Sequence, residues 1–374
     1  MKIIQTFSDP RNSSLSLLTE ERTAALASLG NAVGLLAPAG SRLAERFARP
    51  DSGVQVLTSR FSVGSSMTVP VKLQRLLGKG SRDDMAVFHC PTISLADRAL
   101  MACKAAGRGK VVLELPVGTP PPDKPLTRYV LESVDAVILP SQADADMLLG
   151  SGAWINHRRL RVVSPGVSLP HPETTAASCP LPADAAKARR PHKGPGTLTL
   201  IWSGEIRPGC GLDSLVEALG TNHHLRIDLI VAGQGPGRYV MPIIRRTRAL
   251  GIDARIEWAG DTAPTPQLID RADAGIITAP HSPVAISSAA IYMAAGIPVI
   301  WADGPLARDT VMSDVDGIIC GHTSDDFADA LRALIDDPDW RLQLGHDARA
   351  KAEAQFSLNR HTDALSSLYL SLTC

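Results

Sequence analysis

Aromatic side chains are scarce: Phe, Trp and Tyr make up only 4% of the 374 residues. Stacking platforms for single-stranded nucleic acid need several aligned aromatics, so no nucleic-acid partner is expected. Cysteine is sparse as well. The six residues Cys90, Cys103, Cys179, Cys210, Cys320 and Cys374 are dispersed, with no C-x-x-C pair. That pattern argues against a disulfide framework and a zinc centre, and for a reduced compartment. The opening residues, MKIIQTFSDPRN, lack the roughly 7–15-residue apolar core of a signal peptide. The longest uncharged apolar run, Ala289 to Ala302, is shorter than the about 20 residues a spanning helix needs, and Gly and Pro interrupt it. Together these absences predict a cytoplasmic chain, peripheral at most to the inner face of a membrane.

Net charge is also missing: 38 basic residues balance 38 acidic ones. The distribution is uneven. Residues 1–168 hold 20 basic against 14 acidic side chains, and residues 197–374 hold 14 against 22. Such asymmetry reads as solvated surface, or as a basic half that meets an anionic acceptor or membrane.

What is present is apolar content, 44% of a length that suits two or three domains, with enough to build a core in each. Short apolar strands alternate with helix-period segments from end to end, which predicts parallel sheets with crossover helices. In the first half the strands fall at Lys2–Phe7, Ala32–Ala37, Val54–Thr58, Met85–His89, Lys110–Leu113 and Val134–Leu139. Thr19-Glu20-Glu21 reads as the start of a helix that Gly30 ends, and Ser141 as the cap of another. Residues 169–196, rich in Pro and Ala with no apolar period, read as a connector. A second series follows at Thr197–Trp202, Leu225–Val231, Arg255–Trp258, Gly275–Thr278, Ile297–Ala302 and Gly317–Cys320, closed by helices near 324–336, 338–353 and 358–372. Two doubly wound halves would leave a cleft between them for a ligand.

The most specific stretch is PVAISSAAIYMAAGIPVIWADG, residues 283–304. It reads as a small-residue helix, a stop at Gly296, and a buried strand. This helix-Gly-x-Pro-strand unit resembles the nucleotide-sugar site of glycosyltransferase family 4, a large group of GT-B proteins. The resemblance runs in order through IWSGEIRPGCGLDSLVEAL (201–219), DLIVAGQGPG (228–237), the segment 255–280, ADGPLARDTVMSDVDGIIC (302–320) and AQFSLNRHTDALSSLY (354–369). In the first half VFHCP (87–91), SVDAVILPSQADADMLL and RVVSPGVSL (161–169) have a looser likeness.

The resemblance implies a GT-B architecture: an acceptor-side Rossmann-like domain over 1–168, the connector 169–196, a nucleotide-sugar-side domain over 197–353, and a terminal helix, 354–374, crossing back to the first domain. It implies transfer of a sugar from a nucleotide-sugar co-substrate to a glycan or lipid-linked acceptor, as in cell-envelope or exopolysaccharide synthesis, without a bound metal or cofactor. The leaving nucleoside diphosphate would need cations and helix N-terminal amides, and the sugar hydroxyls would need carboxylates.

The family's charged positions are changed here. Its phosphate-loop cations fall on Glu205 and Cys210, its paired glutamates on Pro283 and Ile291, and the glycine between these on Ile286. The later turn has Pro305, Leu306 and Asp309. Two readings stay open: an active but divergent transferase, or a non-catalytic GT-B protein that partners an active enzyme or binds a glycan or nucleotide. A sugar-phosphate epimerase with the same two-domain plan explains the terminal return segment less well.

The candidate donor-binding residues are Gly204, Arg207, Gly211, Gly233, Gly235, Ser287, Ser288 and Asp309, with His89 as the candidate catalytic residue. Each has an alternative. Arg207 could replace the lost cation or pair with Glu205 on the surface. Gly233 and Gly235 suit close approach of backbone to a nucleotide, or a plain strand-to-helix turn. Ser287 and Ser288 could hold phosphate or cap their helix; Asp309 could touch the donor or cap the helix after Ala307. His89 could be a general base or a structural histidine. The D-x-D strings at Asp144, Asp314 and Asp337 fall in helix or turn patterns, unlike metal sites. Finally, VPVKLQRLLGKGSR (69–82) sets Lys72, Arg75, Lys79 and Arg82 beside Val69, Leu73, Leu76 and Leu77. That amphipathic pattern fits either a peripheral membrane contact or an ordinary surface helix.

Overall fold

The computed structural model describes residues 1–7, 14–59, 68–78, 85–115, 124–151, 155–168, 197–260, 264–279, 282 and 284–373. The chain divides into two compact units, Met1–Gly166 with Ser357–Cys374, and Val167–Phe356. The connector 169–196 lies outside the described residues, as do Pro283, Lys79 and Arg82.

Unit one is built on a parallel sheet of order β3-β2-β1-β4-β5-β6-β7. Its strands are β1 Lys2–Thr6, β2 Ala32–Pro38, β3 Val54–Ser59, β4 Ala86–Cys90, β5 Lys110–Glu114, β6 Ala136–Leu139 and β7 Leu160–Val162. The helices are α1 Ser14–Ser28, α2 Arg42–Phe47, α3 Thr68–Leu77, α4 Ile93–Ala106, α5 Pro125–Ser133 and α6 Gln142–Gly150. Central strands such as Ala86-Val87-Phe88 are apolar on both faces because helices cover both. Phe88 joins Leu73, Leu76, Ala99 and Val130 on one face. Val87 joins Ile3, Leu26, Leu365 and Tyr369 on the other. The last two come from the terminal helix, Leu358–Thr373, which is therefore part of this unit's core. Each large apolar side chain so buried contributes about 1.5–3 kcal/mol.

Two sequence expectations are corrected here. Helix α1 begins at Ser14, so Thr19 lies inside it, where its hydroxyl donates to the Leu15 carbonyl at 2.8 Å. Interior back-bonding of this kind competes with the capping role expected of Thr. The short strand β7 was not foreseen: its residues are half-buried to exposed, so no continuous apolar run marks it. Ser141 caps α6 as expected, accepting from the Asp144 amide at 3.1 Å.

Unit two repeats the plan with order β10-β9-β8-β11-β12-β13. Its strands are β8 Leu198–Glu205, β9 Ile227–Gln234, β10 Ile256–Gly260, β11 Ala274–Ile277, β12 Val299–Ala302 and β13 Gly317–Cys320. The helices are α7 Leu212–Thr221, α8 Gly237–Ala249, α9 Pro266–Ile269, α10 Ala285–Ala294, α11 Pro305–Thr310, α12 Ser324–Asp336 and α13 Pro338–Gln355. Every residue of α10 is buried, which explains its small, uncharged composition. Gly296 ends it at φ 75°, a conformation that Gly adopts without a Cβ penalty.

Candidate functional site

Both sheets reverse direction at one place, and in open parallel sheets the crevice at that reversal, beyond the carboxyl ends of the strands, receives ligands. In unit two the reversal lies between β8 and β11. The β8–α7 loop, Ile206–Gly211, and the segment after β11 meet there through side chains. Thr278 connects them: its hydroxyl donates to the Cys210 carbonyl at 2.5 Å and accepts from the Trp202 indole at 2.9 Å. Gly211 precedes α7 at φ 75°, and a Cβ on it would lie 2.6 Å from the Thr278 carbonyl oxygen. Position 211 is therefore closed to any other residue on two counts.

The second glycine loop buttresses the first. The Ile206 amide donates to the Gln234 carbonyl at 2.9 Å. A Cβ on Gly233 would sit 2.0 Å from the Gly204 carbonyl, and one on Gly235 would sit 1.9 Å from that of Ile206. These glycines allow loop-to-loop backbone contact, and so set the shape of the surface beside the α7 N-terminus. The first amides of that helix have no intrahelical acceptor. Arg207 is exposed on this loop, and Glu205, the last residue of β8, is exposed just before it.

The helix α10 closes the site from the other side. Ser288 is buried and shares a 2.9 Å hydrogen bond with Ser203 at the end of β8. Tyr292, one turn on, donates to Ser203 at 2.7 Å, and burial pushes its phenol above the usual range despite that bond. Ser287 is also buried, on the first turn. Ile291, where the resemblance expects a glutamate, is 8% exposed and packs as core. Asp309 is exposed in the last turn of α11, whose N-cap is Gly304, so Asp309 does not cap that helix. The structure thus packs Gly233 on Gly204, Gly235 on Ile206 and Gly211 on Thr278, and bonds Ser288 to Ser203, with Arg207 on the loop that Gly211 ends. The contributions of Trp202, Ser203, Thr278 and Tyr292 were not foreseen. Trp202 and Ser203 carried one sequence signal, a polar end on an otherwise apolar strand.

In unit one the reversal lies between β1 and β4, and His89 sits there at the end of β4, fully buried. Gln5, His89 and Glu114 continue the rows begun by Ile3, Val87 and Val112, so the sheet face under the terminal helix turns polar at its carboxyl edge. Both ring nitrogens of His89 are occupied. Nδ1 lies 2.5 Å from the Tyr369 hydroxyl, and Nε2 lies 2.8 Å from Glu114 Oε2. Arg22 of α1 donates to the same carboxylate oxygen at 2.7 Å.

Electrostatics follow from this enclosure. Burial pushes the Glu114 carboxyl up, but Arg22 and the His89 hydrogen bond outweigh it and hold the group well below its usual range. Burial and the Arg22 charge lower His89. The same two causes bring His361, on the terminal helix, down to about 4. A carboxylate accepts only, so His89 presents its Nε2 proton to Glu114 and accepts from Tyr369 at Nδ1. The Arg22 Nε and Gln5 Oε1 atoms are buried without a hydrogen-bond partner among the described residues. Arg22, Glu114 and Tyr369 were not foreseen, although a glutamate ending the buried strand KVVLE is a legible anomaly.

Of the apolar residues of α3, Val69, Leu73, Leu76 and Leu77 are buried, while Val71 is exposed. Lys72 donates to the Thr58 carbonyl at 2.7 Å, and Arg75 is exposed.

Residues 185–351 match the family described as Glycosyl transferases group 1. A D-inositol 3-phosphate glycosyltransferase of Corynebacterium glutamicum is 28% identical over 222 residues, 56% of this chain and 51% of that protein. The chain spans about half the length of the curated relatives it matches. Among solved structures, Anabaena HepE in complex with UDP and glucose aligns with a TM-score of 0.80 at 18% identity, covering 99% of this chain and 100% of that one. The sucrose-phosphate synthase of Thermosynechococcus elongatus aligns with a TM-score of 0.73 at 15% identity, covering 100% and 99%. At such identities the structural likeness speaks for the fold. Residues 185–351 are thus similar to group 1 glycosyl transferases, in a chain with the GT-B fold.

Proposed function

We propose that this protein is a divergent glycosyltransferase that moves a sugar from a nucleotide-sugar donor to a glycan or lipid-linked acceptor, in the cytoplasm or at the inner face of a membrane. The observation that carries this reading is the β8/β11 reversal of unit two. There a loop held open by Gly211 and pinned by Thr278 presents backbone and a helix N-terminus at the position where parallel sheets take phosphorylated ligands. The group 1 match covers this region, and HepE, of the same fold, was crystallised with UDP-glucose. In this reading the diphosphate is met by backbone amides and Arg207, in place of the family's two loop cations, and the sugar by the Ser287–Ser288 turn.

Two observations favour a second reading. Glu205 is exposed at the end of β8, where the phosphate loop begins, and Ile291 fills the core where a donor carboxylate is expected. A GT-B protein that binds a nucleotide or glycan without turnover, as the partner of an active transferase, would tolerate both.

Thermal melting with UDP, GDP, ADP, CMP and their sugar conjugates tests the first reading. At 100 times the dissociation constant a bound nucleotide stabilises by about 2.7 kcal/mol. If no nucleotide moves the melt, donor binding is refuted. If one does, release of free nucleotide in the presence of a polyprenyl-phosphate sugar or oligosaccharide acceptor identifies the transferase, and binding without release identifies the second reading.

A further inference from the structure

The second half of the chain is acidic, yet it concentrates positive charge on one helix. The α8 helix carries Arg238, Arg245, Arg246 and Arg248 and no acidic residue. Steps of three and four residues place Arg238, Met241, Arg245 and Arg248 along one stripe. All four are exposed, Met241 by 48%. The opposite side of the helix is committed to the fold, because Thr247 is buried and Tyr239, Val240 and Ile243 pack on the unit's core. The stripe therefore faces solvent by construction. Arg246, on the flank, is paired with Glu217 of α7 through two hydrogen bonds of 2.5 and 2.7 Å. The Arg238 guanidinium carbon lies 4.8 Å from the centre of the Tyr239 ring, a cation–π contact.

We propose that this face of α8 is a docking surface for an anionic lipid bilayer. The complementarity is chemical. Guanidinium groups take phosphodiester oxygens in a bidentate manner, and a methionine between them suits the shallow apolar layer beneath the headgroups. The face is a convex helix side without exposed aromatics, which suits a bilayer better than the stacking grooves that hold nucleic acid. On α3 the residues Val69, Leu73, Leu76 and Leu77 are spent on the core and Val71 is exposed beside Arg75, whereas on α8 Met241 is exposed within a stripe of three arginines. This inference does not depend on donor chemistry.

Co-sedimentation of the full chain with vesicles tests it, comparing phosphatidylcholine alone with a phosphatidylcholine–phosphatidylglycerol mixture. Preferential binding to the mixture, weakened by added salt, is expected. Each basic residue near an anionic surface is worth roughly five-fold in partitioning, so Arg238→Gln with Arg245→Gln and Arg248→Gln should weaken it on the order of a hundred-fold. Met241→Ala should weaken it a few-fold. The triple variant should melt with the wild type, since its three sites are exposed. Equal binding to both vesicles overturns the proposal, as does full binding by the triple variant. Loss of binding on Lys72→Gln with Arg75→Gln, with the triple variant unaffected, would move the contact to α3 and overturn it too. Retention on single-stranded DNA through the stripe, without vesicle binding, would overturn it in favour of nucleic acid.

Discussion

The Tyr369 hydroxyl lies 2.5 Å from Nδ1 of His89, across 280 positions of sequence. This contact joins the end of the terminal helix to the centre of the first sheet, and with Glu114 and Arg22 it makes a buried chain of polar groups. Both nitrogens of His89 are engaged, and burial and the Arg22 charge lower its pKa.

Tyr369→Phe removes the donor to Nδ1 and leaves a buried acceptor unsatisfied. The expected loss is about 1–3 kcal/mol of stability, read from the midpoint of urea denaturation. A variant as stable as the wild type would mean that the contact contributes nothing to docking of the terminal helix.

Acid should destabilise the protein through His361. Its folded-state value of about 4 lies below the ordinary 6.5, so the unfolded chain binds the proton more readily between those two pH values. Stability is therefore fully present above about pH 6.5 and falls as pH drops toward 4, by about 3 kcal/mol for this group alone. Burial lowers His89 in the same direction. Melting temperatures recorded from pH 7.5 to 4.5 should decline, and less steeply in His361→Gln.

Two glycines of one loop separate backbone conformation from packing. Gly209 and Gly211 have φ of 76° and 75°, but a Cβ on Gly209 meets nothing within 4 Å while one on Gly211 meets the Thr278 carbonyl. Gly209→Ala should cost about 1–2 kcal/mol from the left-handed conformation alone. Gly211→Ala should cost more and abolish any nucleotide-induced rise in melting temperature. Equal costs would refute the close approach of loop and strand.

Thr278→Val strands both the Trp202 indole and the Cys210 carbonyl, and should lower stability by about 2–4 kcal/mol, whereas Thr278→Ser keeps the hydroxyl and should lose much less. Denaturation of the two variants side by side decides whether the hydroxyl or the methyl carries the contact.

Arg207→Ala changes an exposed loop side chain, so stability should move by no more than about 0.5 kcal/mol. The melting response to the nucleotide that binds should fall markedly. An unchanged response removes Arg207 from the diphosphate.

The fold was largely legible because its strands are buried on both faces and stand out as apolar runs between helical periods. All twelve strands expected from the sequence are present. The strand that escaped, β7, lies at the sheet edge, where half-exposed residues dilute the signal. The glycines of the donor loops were legible as turn residues, but their purpose was not. Only the packing of Gly233 on Gly204 and of Gly235 on Ile206 reveals contact between two loops.

Local pattern by itself determined the two doubly wound halves, the stop at Gly296 and the absence of charge from the helix 285–294, because periodicity and backbone preference act over a few residues. Tertiary structure alone decided that His89 is enclosed by Glu114 and Tyr369, that Thr278 ties β11 to the loop before α7, and that Arg238, Arg245 and Arg248 face outward together. Hydrogen bonding and burial join residues far apart in the chain, and they depend on distances that no local spacing encodes.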